Sequence, residues 1–289
     1  MFGNITTINS NFSAMEALYN LKKTNGKMSF HQTRLSTGKR INSAEDDAAG
    51  YHIAKHLESR RRGLSQALDN VSTAKNILNI AEGGYQAQMT IMQQIKENLT
   101  QAADGSLSSA QRGAIGDRIE SLLAEIDEIN EQTKYNGYTL FSEGTMTFQV
   151  GEESSDQFTV TFDASTSGAV GESDTDVNGI PALSTDATDD WANITASDAS
   201  AGIDTLETAI DSLAATIQRM GDYQSRLTSK EESLSTAVSN TEASRSRIED
   251  ADFAEEQMNM VKLQILQQTG VSAFTQANAA PQMVLSLFR

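Results

Sequence analysis

Apolar side chains crowd the two ends of this chain, whereas its middle is polar. Residues 1–40 hold Ile5, Ile8, Phe12, Met15, Leu18 and Leu21. The last stretch holds Met258, Met260, Val261, Leu263, Ile265 and Leu266, and it closes on Val284, Leu285, Leu287 and Phe288. Chain ends usually fray into water, so ends of this kind need a cover. Ile5, Ile8, Phe12, Met15 and Leu18 recur at steps of three and four, which is one stripe of a helix. A polar stretch follows, RLSTGKRINSAEDDAAG over residues 34–50. In it Gly38 and Asn42 favour a turn, and Asp46 and Asp47 suit a helix start.

A long helical stripe comes next: Leu64, Leu68, Val71, Ala74, Leu78, Ala81, Tyr85, Met92, Ile95, Leu99 and Ala102. At 1.5 Å per residue it spans about 58 Å. Gly83 and Gly84 interrupt it, each lowering helix propensity by roughly 1 kcal/mol, and Asp104-Gly105-Ser106 ends it. A second helix carries Ile115, Ile119, Leu122, Ile126 and Ile129 and stops before Asn136-Gly137. Two alternating runs, Thr147 to Val150 and Phe158 to Phe162, flank a polar loop and predict a β-hairpin over about 146–162. The last third returns to helix with Ile203, Leu206, Ile210, Leu213, Ile217, Met220, Leu227, Leu234 and Val238, stepping three and four as in a heptad. Seams of equal length over 64–102 and 203–241 predict an antiparallel pair, with residue 64 near 241 and the chain ends brought together.

Composition sharpens this picture. Of a net charge of -17, eleven negative charges lie within residues 163–212, which have no Lys or Arg. The charge is therefore local and marks a solvated segment. It also argues against nucleic-acid binding, which needs a basic face. With no cysteine, disulfides and thiolate metal sites are excluded. Only two prolines, Pro181 and Pro281, leave room for long unbroken helices. No apolar run is long enough for membrane insertion. The start, MFGNITTINSNF, lacks the charged and apolar regions of a cleaved export signal, so the expectation is a cytosolic chain or export without such a signal.

Three stretches carry a resemblance. RLSTGKRINSAEDDAAG (34–50) is similar to the N-terminal signature of bacterial flagellins, and SRIEDADFAEE (246–256) and QANAAPQMVLSL (276–287) are similar to their C-terminal signature. TFQVG (147–151) fits as well. The resemblance implies a mainly α fold: paired terminal helices plus an antiparallel long-helix bundle with a β-hairpin and a short acidic central insert. It implies an inner-tube domain of 1–40 with 251–289, an outer-tube bundle of 41–165 with 200–250, and a surface insert of 166–199. The implied function is a filament subunit for motility, a helical homopolymer exported extracellularly through the flagellar type III system. Export chaperone, filament cap and hook-associated proteins are its implied partners. A hook–filament junction protein with similar ends is the nearest alternative.

No residues stand out for catalysis, and no cofactor is expected. The expected assembly residues are Ile5, Ile8, Phe12, Met15 and Leu18 at one end and Met258, Val261, Ile265, Phe274 and Leu285 at the other. His52 and His56 stand at i, i+4, a zinc-chelating spacing. However, the intervening Ile53-Ala54-Lys55 lacks the Glu of H-E-x-x-H, so they read as surface or interface histidines rather than a secreted zinc hydrolase. Arg60-Arg61-Arg62 reads either as an inter-subunit ion pair or as a solvated helix face. In the stretch MQQIKENL, where the family is read by a vertebrate Toll-like receptor, Gln94 replaces the usual Arg, and Arg118 replaces the usual Glu on the next helix. Those departures imply weak receptor activation. The acidic insert also admits an adhesin reading, which deletion of 166–196 separates from decoration.

Overall fold

A computed structural model describes residues 11–141, 144–162 and 194–286, with side-chain surroundings described as far as residue 279. Helices dominate it. In order they are α1 (Phe12–Thr37), α2 (Ala48–Ala102), α3 (Ser109–Gln132), the strand pairs β1–β2 and β3–β4, α4 (Ala196–Glu249) and α5 (Phe253–Ser286). By contacts the chain divides into two compact units, Met1–Arg61 with Ser239–Arg289, and Arg62–Val238.

The second unit holds the main core. Leu64, Val71, Ala74, Leu78, Ala81, Tyr85, Met92, Ile95, Leu99 and Ala102 of α2 are all buried, as the periodicity predicts. Leu206, Leu213, Met220, Leu227 and Leu234 of α4 meet them in one cluster, joined by Ile119 and Ile126 of α3. Ion pairs Lys75–Glu231 at 2.8 Å and Lys96–Glu207 at 3.1 Å tie α2 to α4 and fix their antiparallel sense. Helix α2 runs unbroken through Gly83 and Gly84. At Gly84 the missing side chain has a purpose: a Cβ there would stand 2.9 Å from the Phe141 ring. Phe141 instead packs on Tyr85 with ring centroids 4.3 Å apart. The stripe conceals two polar exceptions: Gln88 donates to Asn130 Oδ1 at 2.6 Å within the core, and Asn98 Nδ2 donates to the Gln94 carbonyl at 2.8 Å.

Short elements join the helices by local rules. Ser108 and Gln111 form a capping box at the start of α3. Arg112 donates to the carbonyls of Ala102, Asp104 and Leu107, which closes the α2–α3 turn. Asn136-Gly137 does more than stop a helix. Both residues have positive φ (50° and 86°) and turn a two-residue hairpin, β1 (Lys134–Tyr135) with β2 (Tyr138–Thr139). The expected larger hairpin is β3 (Thr145–Gln149) with β4 (Gln157–Thr161), in the register Met146↔Val160 and Phe148↔Phe158.

In the first unit α1 and α5 lie antiparallel. Asn11 Nδ2 donates to the Ala277 carbonyl at 2.8 Å, Gln267 Nε2 to Asn25 Oδ1 at 2.9 Å, and Arg34 Nη1 to Glu256 Oε1 at 3.1 Å. Gly38 ends α1 with φ 72°, a left-handed conformation that glycine adopts without a Cβ clash. Its carbonyl then accepts from Ala251 N–H at 2.9 Å, while Arg40 N–H donates to the Glu249 carbonyl at 2.6 Å. The polar stretch 34–50 is thus stitched to residues 249–251. Asp47 Oδ1 accepts from Gly50 N–H at 2.9 Å at the start of α2.

Candidate functional site

The pairing of α1 with α5 sorts the terminal side chains into two sets. On α1 the seam runs through Ala14, Ala17, Leu21, Thr24, Met28, His31 and Leu35, with Arg34 half-buried beside it. On α5 it runs through Glu256, Met260, Leu263, Gln267, Gly270, Phe274 and Ala277, with Asn259 half-buried beside it. Both sets step by three and four residues, the spacing of a coiled-coil seam. Six of the fourteen, Leu21, Met28, Leu35, Met260, Leu263 and Phe274, are bulky and apolar, and only Ala14, Glu256 and Leu263 are fully buried. Small residues let the helices approach: a Cβ on Gly270 would stand 3.4 Å from Leu21 Cδ1.

A second set of bulky side chains points outward. Phe12 is 64% exposed, and Met15, Leu18 and Tyr19 are exposed beside it on α1. On α5 Met258 is 67% exposed, with Val261, Ile265, Leu266 and Val271 exposed along the same helix. Gln257, Met258, Val261, Lys262, Ile265 and Leu266 line a shallow groove of about 480 Å3. Among the residues the sequence singles out for assembly, Phe12, Met15, Leu18, Met258, Val261 and Ile265 are therefore outward. Phe274 is half-buried in the seam. Ile5 and Ile8 lie outside the described residues. Leu285 lies in α5 beyond the described side chains. The exposed Tyr19, Leu266 and Val271 were not picked out for assembly, although Tyr19 stands four residues from Met15 and Leu266 eight from Met258, both helical spacings.

Polar groups fix the end of this pair nearest the α1 cap. The buried Glu256 carboxylate accepts from Arg34 and forms a very short hydrogen bond with His31. Burial opposes its ionisation, but the His31 and Arg34 hydrogen bonds outweigh burial and hold its pKa below the ordinary value of 4.5. Glu249 follows the same logic. Burial raises its pKa, while Lys39 at 2.6 Å and Arg245 lower it further than burial raises it. Arg245 also donates to Glu242 at 2.6 Å, and Arg61 lies 3.2 Å from the same carboxylate. Arg61 therefore has an acidic neighbour within its own chain. Of these polar residues the sequence reading singled out only Arg61. The available signal was a histidine and an arginine placed on an otherwise apolar heptad.

The remaining candidates are less organised. His52 and His56 are exposed on α2. Among the described residues no three His, Cys, Asp or Glu are grouped as metal ligands. Gln94 and Arg118 are exposed on α2 and α3. Most of the acidic insert lies outside the described residues. No described helix is long and apolar enough to cross a membrane.

Comparison with known proteins places this arrangement. The profile of the bacterial flagellin N-terminal helical region matches residues 8–145, and that of the C-terminal helical region matches residues 203–288. The chain is 32% identical to the "Flagellin FlaB1" of Treponema pallidum, covering 98% of this chain and 99% of that one. It is 33% identical to the "Flagellar filament 33 kDa core protein" of Treponema phagedenis and 30% identical to the "Flagellin" of Bacillus subtilis, with the same coverage. A solved structure of a putative flagellar hook-associated protein from Vibrio parahaemolyticus shares the fold. Its TM-score is 0.57 at 12% identity, over 71% of this chain and 100% of that one. The chain belongs to the bacterial flagellin family.

Proposed function

We propose that this chain is a structural subunit that polymerises into the flagellar filament, with the outward faces of α1 and α5 as the contact between copies. One observation carries the reading. The two terminal helices pack on a seam that mixes Leu21, Met28, Leu263 and Phe274 with small and polar side chains, and they leave Phe12, Met15, Met258, Val261 and Ile265 facing outward. A row of large apolar side chains on both helices of one pair is an exposed patch that a partner covers. Identical neighbours satisfy every copy at once. In this reading 1–40 with 251–289 form the inner tube, 41–165 with 200–250 the outer tube, and 166–199 decorate the surface.

The test is seeded growth. Purified chain added to short filament seeds elongates them into long tubes visible by electron microscopy, and a chain trimmed of residues 1–40 and 251–289 does not. Long, stable tubes from the trimmed chain would defeat the proposal. A hook–filament junction protein is the weaker reading, since such a protein caps seeds without extending them. The likeness to the hook-associated structure extends to fold alone.

Family membership supports the rest of the assignment. The subunit is exported through the flagellar type III route to an extracellular filament. Before assembly a chaperone covers the α5 face, and cap and hook-associated proteins meet the filament ends. With Gln94 and Arg118 in place of the family's usual charges, a reporter-cell dose curve is expected to show weaker Toll-like receptor activation than a flagellin carrying Arg and Glu there. Deleting 166–196 is expected to leave motility intact.

A further inference from the structure

A polar groove of about 560 Å3 lies between the β3–β4 hairpin and α4, lined by Val150, Asp156, Phe158, Ser229, Arg226 and Lys230 among others. The Arg226 guanidinium lies 4.7 Å from the centre of the Phe158 ring. Phe158 stands edge-on to Tyr223, with centroids 5.7 Å apart. The ring stack thus presents Arg226 at the groove, one helical turn from Lys230. Neither cation has a carboxylate partner among the described residues. Asp156 is the one acid in this lining, so the two cations leave it net positive, and in a chain of net charge -17 such a lining favours an incoming carboxylate.

The same helix supplies matching acids nearer its start. Asp204 and Asp211 are exposed and likewise have no cationic partner among the described residues. At 1.5 Å per residue, Asp204 lies about 33 Å from Arg226 along α4, and Asp211 about 29 Å from Lys230. The two offsets agree closely enough for one displacement of a neighbour to satisfy both pairs.

We infer that the groove receives Asp204 and Asp211 of a second copy of this chain, with Arg226 facing Asp204 and Lys230 facing Asp211. The inference rests on the filament reading and specifies one of its contacts. Groove and acids are different patches of one molecule, so the contact is head-to-tail. Each added copy leaves a free groove or a free acidic face, and such a contact grows an open polymer instead of closing on a dimer. The neighbour's α4 runs in the same direction, shifted about 30 Å along it, and the neighbour is turned about that axis, because Asp204 and Arg226 lie only about 40° apart around α4. This contact is weakened by salt, unlike the apolar contact of the terminal helices.

Charge exchange tests it. R226E/K230E and D204K/D211K, each folded by circular dichroism, are expected to elongate wild-type seeds about tenfold more slowly than the wild type. An equimolar mixture of the two regains growth, because each variant then meets opposite charge in the other. The quadruple variant regains growth alone. Wild-type rates for either double variant, or a folded quadruple variant that stays slow, would overturn the contact. A second measurement covers misfolded variants. The chain has no cysteine, so a mixture of Asp211→Cys and Lys230→Cys copies is expected to give disulfide-linked dimers on oxidation only once assembled. Filaments without that link overturn this contact alone. A wild-type chain that never polymerises overturns the filament reading and the contact with it.

Discussion

The two units of this molecule use the same helical periodicity to opposite ends. In the second unit the bulky residues of each heptad turn inward: Tyr85, Met92, Ile95 and Leu99 meet Leu206, Leu213 and Met220 in a closed core. In the first unit the inward seam mixes Leu21, Met28, Leu35, Met260, Leu263 and Phe274 with Ala14, Thr24, His31, Glu256, Gln267 and Gly270, and a second set of large apolar residues lies outside. The second unit therefore buries its apolar surface within one chain, while the first leaves much of it exposed. Hydrophobic stabilisation scales with the apolar area removed from water. Much of the stabilisation available to the terminal pair thus arrives only when another surface covers it, and a subunit built this way has a folded body and adhesive ends.

The largest expected effect lies in the closed core. Tyr85→Ala is expected to lower the stability of the second unit by about 3–5 kcal/mol in urea unfolding. A loss under about 1 kcal/mol would show that this core is not what holds the unit. Next comes Gly84→Val, whose side chain meets the Phe141 ring and Thr133 Oγ1. Overpacking there is expected to cost about 1–3 kcal/mol by the same measurement. In the terminal pair, Glu256→Ala leaves Arg34 without its carboxylate and is expected to cost about 1–3 kcal/mol, read as lost amide protection in α1 and α5.

Acid sharpens the contrast further. Glu249 and Glu256 both have pKa values below the ordinary 4.5. A depressed carboxylate pKa contributes stability that is present above the unfolded-state value and lost as pH falls through the folded-state value. Amide exchange below about pH 4 is therefore expected to accelerate first in residues 12–37 and 253–279, with the Tyr85 and Leu99 neighbourhood still protected. Simultaneous loss in both units would break the comparison. The smallest expected effect on the free subunit comes from Phe12→Ser with Met258→Ser. These exposed changes are expected to shift its stability by about 0.5 kcal/mol or less, yet to stop or strongly slow seeded growth. Unimpaired growth of that variant would remove the outward faces from the assembly mechanism.

Much of this was legible in the order of residues. The stripe from Leu64 to Ala102, the heptads after Ile203 and the alternation around Phe148 and Phe158 each encode a burial pattern that local geometry enforces. Other features were not. Gln88 and Asn130 read as polar surface until α2 and α3 bring them together in the core. Asn136-Gly137 read as a helix stop because its two-residue strands are too short to show alternation.

Sequence alone determined which segments are helical, that the ends are apolar and that the chain resembles its family, because periodicity and motifs are local properties. Tertiary structure decided which side of each terminal helix is used. Ala14 and Met15 are adjacent in sequence and equally compatible with a helical stripe, but they lie about 100° apart around the axis. Only the docking of α5 on α1 turned Ala14 inward and left Met15 for a neighbour. That choice depends on close helix approach at Gly270 and on the Glu256 clamp with His31 and Arg34, contacts between residues more than two hundred positions apart.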